Sequence, residues 1–200
     1  MTHALIMAEG TAEQAILEIL LENDYLAVSV DELVTDKWVI PKLMKGKDLA
    51  EKYLQRDFGT EGLELIVVLD SIKREIKLPF VYQRQVRTTR YYVTRPEIEA
   101  IQLYAEKKWR PQYDVFRAKN RTGDQKDQKP SAFFRASPSS GGLGIRNVKS
   151  YDFVHRLWRE RPDELVVAIL RVKHDIQKSG GVNGRYTLAE LLRPDLQFGW

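Results

Sequence analysis

Residues 4–17 read ALIMAEGTAEQAIL, and this stretch decides how the rest of the chain is organised. Its first five residues form a short apolar run, as expected for a strand that is covered on both faces of a sheet. Glu9-Gly10 predicts a tight turn, and the apolar residues that follow recur at helical spacing. Thr11 and Gln14 have the spacing of a capping box, so the helix is expected to begin there. Glu9 is therefore predicted at the carboxyl end of a central strand, where ligands bind in open α/β sheets.

The composition excludes several classes of function. The chain has 200 residues, of which 43% are hydrophobic, enough for one α/β domain with an appendage. It has no cysteine, which excludes disulfides, thiolate catalysis and cysteine-ligated zinc and fits a reducing cytoplasm. A net charge of +4 favours polyanionic partners only slightly. Because no apolar run reaches membrane length and no signal-peptide pattern is present, we predict a cytoplasmic protein without a membrane partner.

Further apolar runs predict the other strands of a mainly parallel sheet. Residues 63–70 form the most hydrophobic run and predict a buried central strand that ends at Asp70. Residues 88–93 and 25–30 are rich in β-branched or aromatic side chains and predict two more strands. Residues 47–58 predict a helix. The pattern indicates an α/β fold with helices on both faces of the sheet.

A helix is expected directly after the strand at residues 88–93. Pro96 suits its first turn, and Thr94 with Glu97 has the spacing of a second capping box. Glu97 thus has a structural explanation, whereas Glu99, on another face of the helix, has none. If the strands are neighbours, Glu9, Asp70 and one of these two glutamates converge at one edge of the sheet.

The remaining chain divides by composition. Residues 1–110 form the expected α/β domain and residues 150–200 a helical C-terminal extension packed on it. Residues 111–149 are expected to be a basic, flexible loop region, since positions 117–149 contain eight basic residues and only two acids. Such stretches are often only solvated loops. Beside a metal site this one would track a phosphate backbone, with Lys129 and Lys149 as contacts.

Capping patterns define the helices of the extension. Ser150 is expected to cap one helix, and residues 162–178 predict a longer one. Thr187 and Glu190 have the spacing of a final capping box.

An acidic cluster at a sheet edge suits a hard divalent cation. Carboxylate oxygens bind Mg²⁺ or Mn²⁺, which keep several waters and bridge to phosphate oxygens. The corresponding chemistry is phosphoryl transfer or phosphodiester hydrolysis.

Three motifs of the chain resemble the Toprim superfamily, the metal-binding domain of topoisomerases, primases and several nucleases. They are AEGTAE at residues 8–13, VLD at residues 68–70 and RPEIE at residues 95–99. The last spacing looks most like the abortive-infection and overcoming-lysogenisation-defect nucleases. The resemblance implies a Mg²⁺- or Mn²⁺-dependent nuclease with nucleic acid as its partner and a role in phage defence. It does not say whether the protein has a protein partner or forms a homo-oligomer.

The resemblance also assigns roles to single residues. It implies that Glu9 acts as the general acid or base and that Asp70 and Glu99 bind the metal. Glu13 is a supporting metal ligand and Glu97 an alternative one, although both also suit the first turn of a helix.

One departure from the family leaves an alternative open. Family members usually carry a second aspartate after the central strand, whereas here Ser71-Ile72 follows Asp70. The alternative is a non-catalytic module that binds nucleic acid or protein. A nucleotide-binding regulatory domain has less support, because the glycines at residues 141–144 follow no predicted strand.

Overall fold

A computed structural model describes residues 3–70, 73–94, 97–178 and 185–197. Within these ranges five strands form one sheet of order β2-β1-β3-β4-β5, and all its neighbouring strands are parallel. The strands are β1 (His3–Ala8), β2 (Val39–Ile40), β3 (Leu63–Leu69), β4 (Val86–Val93) and β5 (Tyr186–Thr187). The α/β class with a parallel sheet is confirmed.

Helices cover both faces of this sheet. The α-helices are α1 (Thr11–Glu22), α2 (Gly46–Tyr53), α3 (Phe80–Gln83), α4 (Glu99–Gln102), α5 (Trp109–Lys119), α6 (Pro130–Arg135), α7 (Tyr151–Trp158), α8 (Pro162–Lys178) and α9 (Pro194–Gln197). Short 3₁₀ helices span Val30–Glu32, Gln125–Gln128, Pro138–Ser140 and Leu188–Leu191. Of the helices in the described ranges, none combines the length and the apolar character that crossing a membrane requires.

The central strands β1 and β3 are buried on both faces, which explains their nearly continuous apolar sequence. Ile6 pairs with Ile66, and both belong to the core under α1, α7 and α8. Leu5 pairs with Leu65, and both lie in the second core, under α2. The alternation of side chains along each strand therefore fills two cores and fixes the register.

The prediction of a strand at residues 25–30 is wrong. The Ala27 N–H donates to the Leu191 carbonyl at 2.9 Å, and Leu26 forms an isolated antiparallel bridge with Leu192. The segment therefore pairs with the C-terminal residues instead of entering the sheet. Ser29 then caps the 3₁₀ helix Val30–Glu32 through a capping box.

Two of the predicted capping boxes are also wrong. Gly10 is the N-cap of α1, while the Thr11 hydroxyl donates to the Lys149 carbonyl at 3.1 Å. Thr94 does not cap a helix, because its hydroxyl lies near Leu69 and Glu13 and α4 begins only at Glu99. Pro96 lies outside the described residues. In both places the threonine hydroxyl, which the local pattern assigned to a helix cap, donates a hydrogen bond to a residue distant in sequence.

The region expected to be a flexible loop is folded around an apolar cluster of its own. It holds most of α5, all of α6, and the fully buried rings of Phe133 and Phe134. These two rings pack against each other with centroids 5.6 Å apart. Burial of aromatic side chains of this size orders a segment despite its charge and its glycines.

The C-terminal extension contributes a strand as well as helices. Ser150 caps α7 and α8 spans Pro162–Lys178, as predicted. Beyond them Tyr186 and Thr187 pair with Tyr92 and Val93 and add β5 to the sheet edge. The predicted capping box of Thr187 and Glu190 is present, on the 3₁₀ helix that follows.

Candidate active site

Glu9 and Asp70 meet at the carboxyl ends of the two central strands. Ala8 and Val68 are paired in the sheet, and the Glu9 N–H donates to the Val68 carbonyl at 2.9 Å. The Glu9 carboxylate in turn accepts the Asp70 N–H at 3.0 Å through Oε2. The register of β1 and β3 thus brings together two acids that are distant in sequence, as the sequence predicted.

The environment of Glu9 raises the pKa of its carboxyl group. Partial burial raises the pKa of Glu9, and a hydrogen bond between its carboxyl group and that of Asp70 raises it further. The backbone N–H of Asp70 and the Arg74 guanidinium act in the opposite direction, but the pKa stays above its ordinary value. A carboxyl group with a perturbed pKa beside a second acid is a common arrangement in acid–base sites.

Arg74 is a site residue that the sequence analysis did not identify. Its guanidinium pairs with the Glu9 carboxylate, and its side chain is 61% exposed. It lies in the connection between β3 and α3, where no helical or strand pattern singles out one basic residue. Its position near Glu9 follows only from the path of this connection.

Glu13 lies in the first turn of α1, four residues after Glu9, and is 6% exposed. The Thr94 hydroxyl donates to its Oε1 at 3.3 Å. A Cβ on Gly10 would lie 2.7 Å from the other carboxylate oxygen, so the absence of a side chain at Gly10 leaves room for this carboxylate. Burial raises the pKa of Glu13, and the nearby Lys149 charge opposes this shift.

Glu99 is fully buried at the N-terminus of α4 and faces Lys149. The Lys149 ammonium lies 3.1 Å from Oε1 of Glu99. Apart from that ion pair, neither oxygen accepts a hydrogen bond from the residues that the structure describes. Burial raises the pKa of Glu99, while Lys149 opposes the shift. Lys149 also interacts electrostatically with Glu13 and Glu97, so one ammonium serves three glutamates.

Glu97, the alternative metal ligand, holds α6 in place. Its Oε2 accepts the N–H of Ser131 in the first turn of α6 at 3.1 Å, and Lys129 lies 3.3 Å from its Oε1. A carboxylate at a helix N-terminus satisfies a free N–H and complements the helix dipole. Lys129 and Lys149, the expected phosphate contacts, are thus both paired with acids of this edge.

The acids therefore form two groups, Glu9 with Asp70 and Glu13 with Glu99. Among the described residues, no three histidines or acids lie close enough together to hold a metal ion between them. Mg²⁺, however, is commonly bound through one or two carboxylates together with waters and substrate phosphates. Glu9 and Asp70 supply oxygen donors of this kind.

Comparisons with known proteins add no relative to this description. No protein-family model, no curated protein and no solved structure matches the chain. The resemblance to the Toprim superfamily therefore depends on the three motifs quoted above. Of these, Arg95 and Pro96 in the third lie outside the described residues, as do Ser71 and Ile72, where the chain departs from the family.

Proposed function

We propose that this chain is a Mg²⁺- or Mn²⁺-dependent enzyme of Toprim type that acts on the phosphodiester bonds of nucleic acid. The observation that carries this proposal is the contact between Glu9 and Asp70 at the carboxyl edge of β1 and β3. The raised pKa of Glu9 suits a carboxyl group that takes part in proton transfer. The parallel sheet flanked by helices supports the proposal, because ligands of such sheets bind at this edge.

Each residue of the edge has a role in this proposal. A bound divalent cation supplies charge neutralisation at the scissile phosphate. Asp70 would hold that cation, and Glu99 and Glu13 would add negative charge from the second acidic group. Glu9 exchanges a proton with the attacking water or the leaving oxygen. Arg74, which is largely exposed, is free to turn from Glu9 to a phosphate oxygen.

The proposal is tested with labelled single- and double-stranded DNA and RNA, incubated with Mg²⁺, Mn²⁺ or a chelator. Glu9→Gln and Asp70→Asn keep the side-chain volumes and remove the charges. We expect each to reduce metal-dependent cleavage by about 100-fold or more, the usual contribution of a general acid or base. Glu61→Gln, at an exposed glutamate paired with Arg87, is the matched control and should keep full activity.

Metal binding is measured separately from cleavage. Mn²⁺ should raise the melting temperature of the wild type and of Glu61→Gln, because ligand binding to the folded state stabilises it. The shift should disappear in Asp70→Asn. Cleavage that persists in chelator, or that survives both site variants, would contradict the proposal.

One observation favours the non-catalytic alternative. Arg74 pairs with Glu9 and Lys149 with Glu99, so two acids of the described edge already have a cationic partner within the protein. Under this alternative the wild type binds nucleic acid without cutting it, and Mn²⁺ leaves the melting temperature unchanged. The same two experiments therefore decide between the functions.

A further inference from the structure

A second site lies between the end of α4 and the exposed side of α8. It is a half-open cavity of about 290 Å³, and none of its lining residues belongs to the acidic edge. This volume is at the small end of the range for ligand pockets, roughly 300–1,000 Å³, and suits one small molecule. The cavity is lined by Tyr104, Leu170, Arg171, His174 and Asp175.

Hydrogen bonds fix the aromatic wall of this cavity. The Tyr104 hydroxyl donates to Oδ2 of Asp175 at 2.8 Å and accepts from the Arg110 guanidinium at 2.6 Å. Arg110 also binds Oδ2 of Asp175 directly, and its Nε contacts Asp114 at 3.3 Å. The charge of Arg110 is therefore satisfied within the protein. The ring of Tyr104 is held in place before any ligand arrives.

Arg171 and His174 provide the groups that are free to bind an anion. They lie three residues apart on α8, so they share one face of the helix, and both are exposed. Arg171 contacts the Tyr104 ring, with its guanidinium carbon 5.6 Å from the ring centroid. Within the described ranges Arg171 forms no ion pair, unlike Arg110 on the other side of the cavity.

The lining selects more than a bare anion. A guanidinium group binds phosphate oxygens in a bidentate manner and also stacks on planar bases. The Tyr104 ring supplies the aromatic surface of the cavity, while Leu170 below it is 4% exposed and belongs to the core. Oδ1 of Asp175 accepts no hydrogen bond from the described residues, so it is available for an amino or hydroxyl donor. A ligand that uses all of these groups carries a phosphate, a flat ring and hydrogen-bond donors.

We propose that this cavity binds a nucleoside monophosphate unit, with its phosphate on Arg171 and His174 and its base against Tyr104. The unit is either a free nucleotide or the phosphorylated end of a nucleic-acid strand. The site needs no metal ion and does not depend on the function proposed for the acidic edge.

The test is a calorimetric titration of the full chain with AMP in the presence of a chelator. Adenosine and inorganic phosphate are titrated in parallel, since each carries only part of the recognised chemistry. Arg171→Gln should weaken AMP binding by about tenfold or more, as expected for a charge-assisted phosphate contact. Arg156→Gln removes an exposed arginine from α7 and is the matched control, with binding unchanged.

A second arm separates the two sources of the ligand. Short single-stranded DNA with and without a 5′-phosphate competes against bound AMP. If the DNA competes only when it carries the 5′-phosphate, the cavity binds strand ends. If neither DNA competes, the cavity binds free nucleotides. The proposal is overturned if AMP gives no saturable signal, if adenosine or inorganic phosphate binds as tightly as AMP, or if Arg171→Gln and Arg156→Gln bind AMP equally.

Discussion

Glu99 and Glu190 are both glutamates beside a lysine, yet the fold shifts their pKa values in opposite directions. Glu190 lies 2.8 Å from Lys173 and also accepts hydrogen bonds from the N–H and the hydroxyl of Thr187. Although burial opposes it, these contacts hold the pKa of Glu190 below its ordinary value. Among the described residues Glu99 pairs only with Lys149, and burial raises the pKa of Glu99.

This difference identifies Glu190 as a structural acid and Glu99 as an acid suited to binding a ligand. The charge of Glu190 is compensated by three donors that belong to the fold. Glu99 carries a charge whose burial is only partly compensated, a cost that proteins accept at functional sites more often than elsewhere. Three predictions test this contrast and a fourth tests the neighbouring acid Glu13, from the largest expected effect to the smallest.

Removal of the Glu190 carboxylate should destabilise the protein. Glu190→Ala eliminates the capping box and leaves Lys173, whose side chain is 22% exposed, without its acid. We expect the free energy of unfolding to fall by about 2–3 kcal/mol, measured by urea denaturation at neutral pH. Glu160→Ala, at a side chain that is 88% exposed, should cost less than about 0.5 kcal/mol.

Removal of the Glu99 charge should stabilise the protein, in contrast to removal of the Glu190 carboxylate. Glu99→Gln keeps the volume, and Lys149, whose side chain is 57% exposed, can regain water. We expect the free energy of unfolding at neutral pH to rise by about 1 kcal/mol, or the melting temperature by about 2–4 °C. A loss of stability as large as that of Glu190→Ala would show that Glu99 is a structural acid as well.

The two variants should also differ in their pH dependence. The folded state gains stability from protonating Glu99, and this gain is lost as the pH rises through its raised pKa. The gain from Glu99→Gln should therefore be larger at pH 8 than near the ordinary glutamate pKa. The contribution of Glu190 is present above its ordinary pKa and is lost as the pH falls through its lowered value. Urea denaturation of both variants across this range measures the two opposite slopes.

Gly10→Ala should change the site more than the stability. Gly10 has an extended backbone that alanine adopts without strain, and the added Cβ meets only the end of the Glu13 side chain. We expect a change in the free energy of unfolding below about 1 kcal/mol, with the Glu13 carboxylate displaced from Thr94. Calorimetry measures the stability, and Mn²⁺ titration against the wild type measures the effect on the site. A loss of several kcal/mol would mean that the Glu13 carboxylate cannot move aside.

Short-range patterns in the sequence were enough for the frame of the molecule. The apolar runs that became β1 and β3 fit strands that are buried, and β-branched and aromatic residues predicted part of β4. Helical periodicity predicted α1, and start and stop signals predicted α8. Since a parallel sheet places all carboxyl ends at one edge, the meeting of Glu9 and Asp70 also followed from the sequence. Each of these inferences uses residues within one element or its immediate neighbours.

The remaining features depend on contacts between distant parts of the chain. The sequence does not show that Lys149 pairs with Glu99 or that Arg74 pairs with Glu9. Nor does it show that residues 25–30 pair with the C-terminal segment. Phe133 and Phe134 likewise turned an expected loop into a folded segment. By itself the sequence determined the central strands, the main helices and the edge where acids gather. Only the tertiary structure decided the partner and the charge balance of each acid, because burial and Coulomb energies depend on what the fold places nearby.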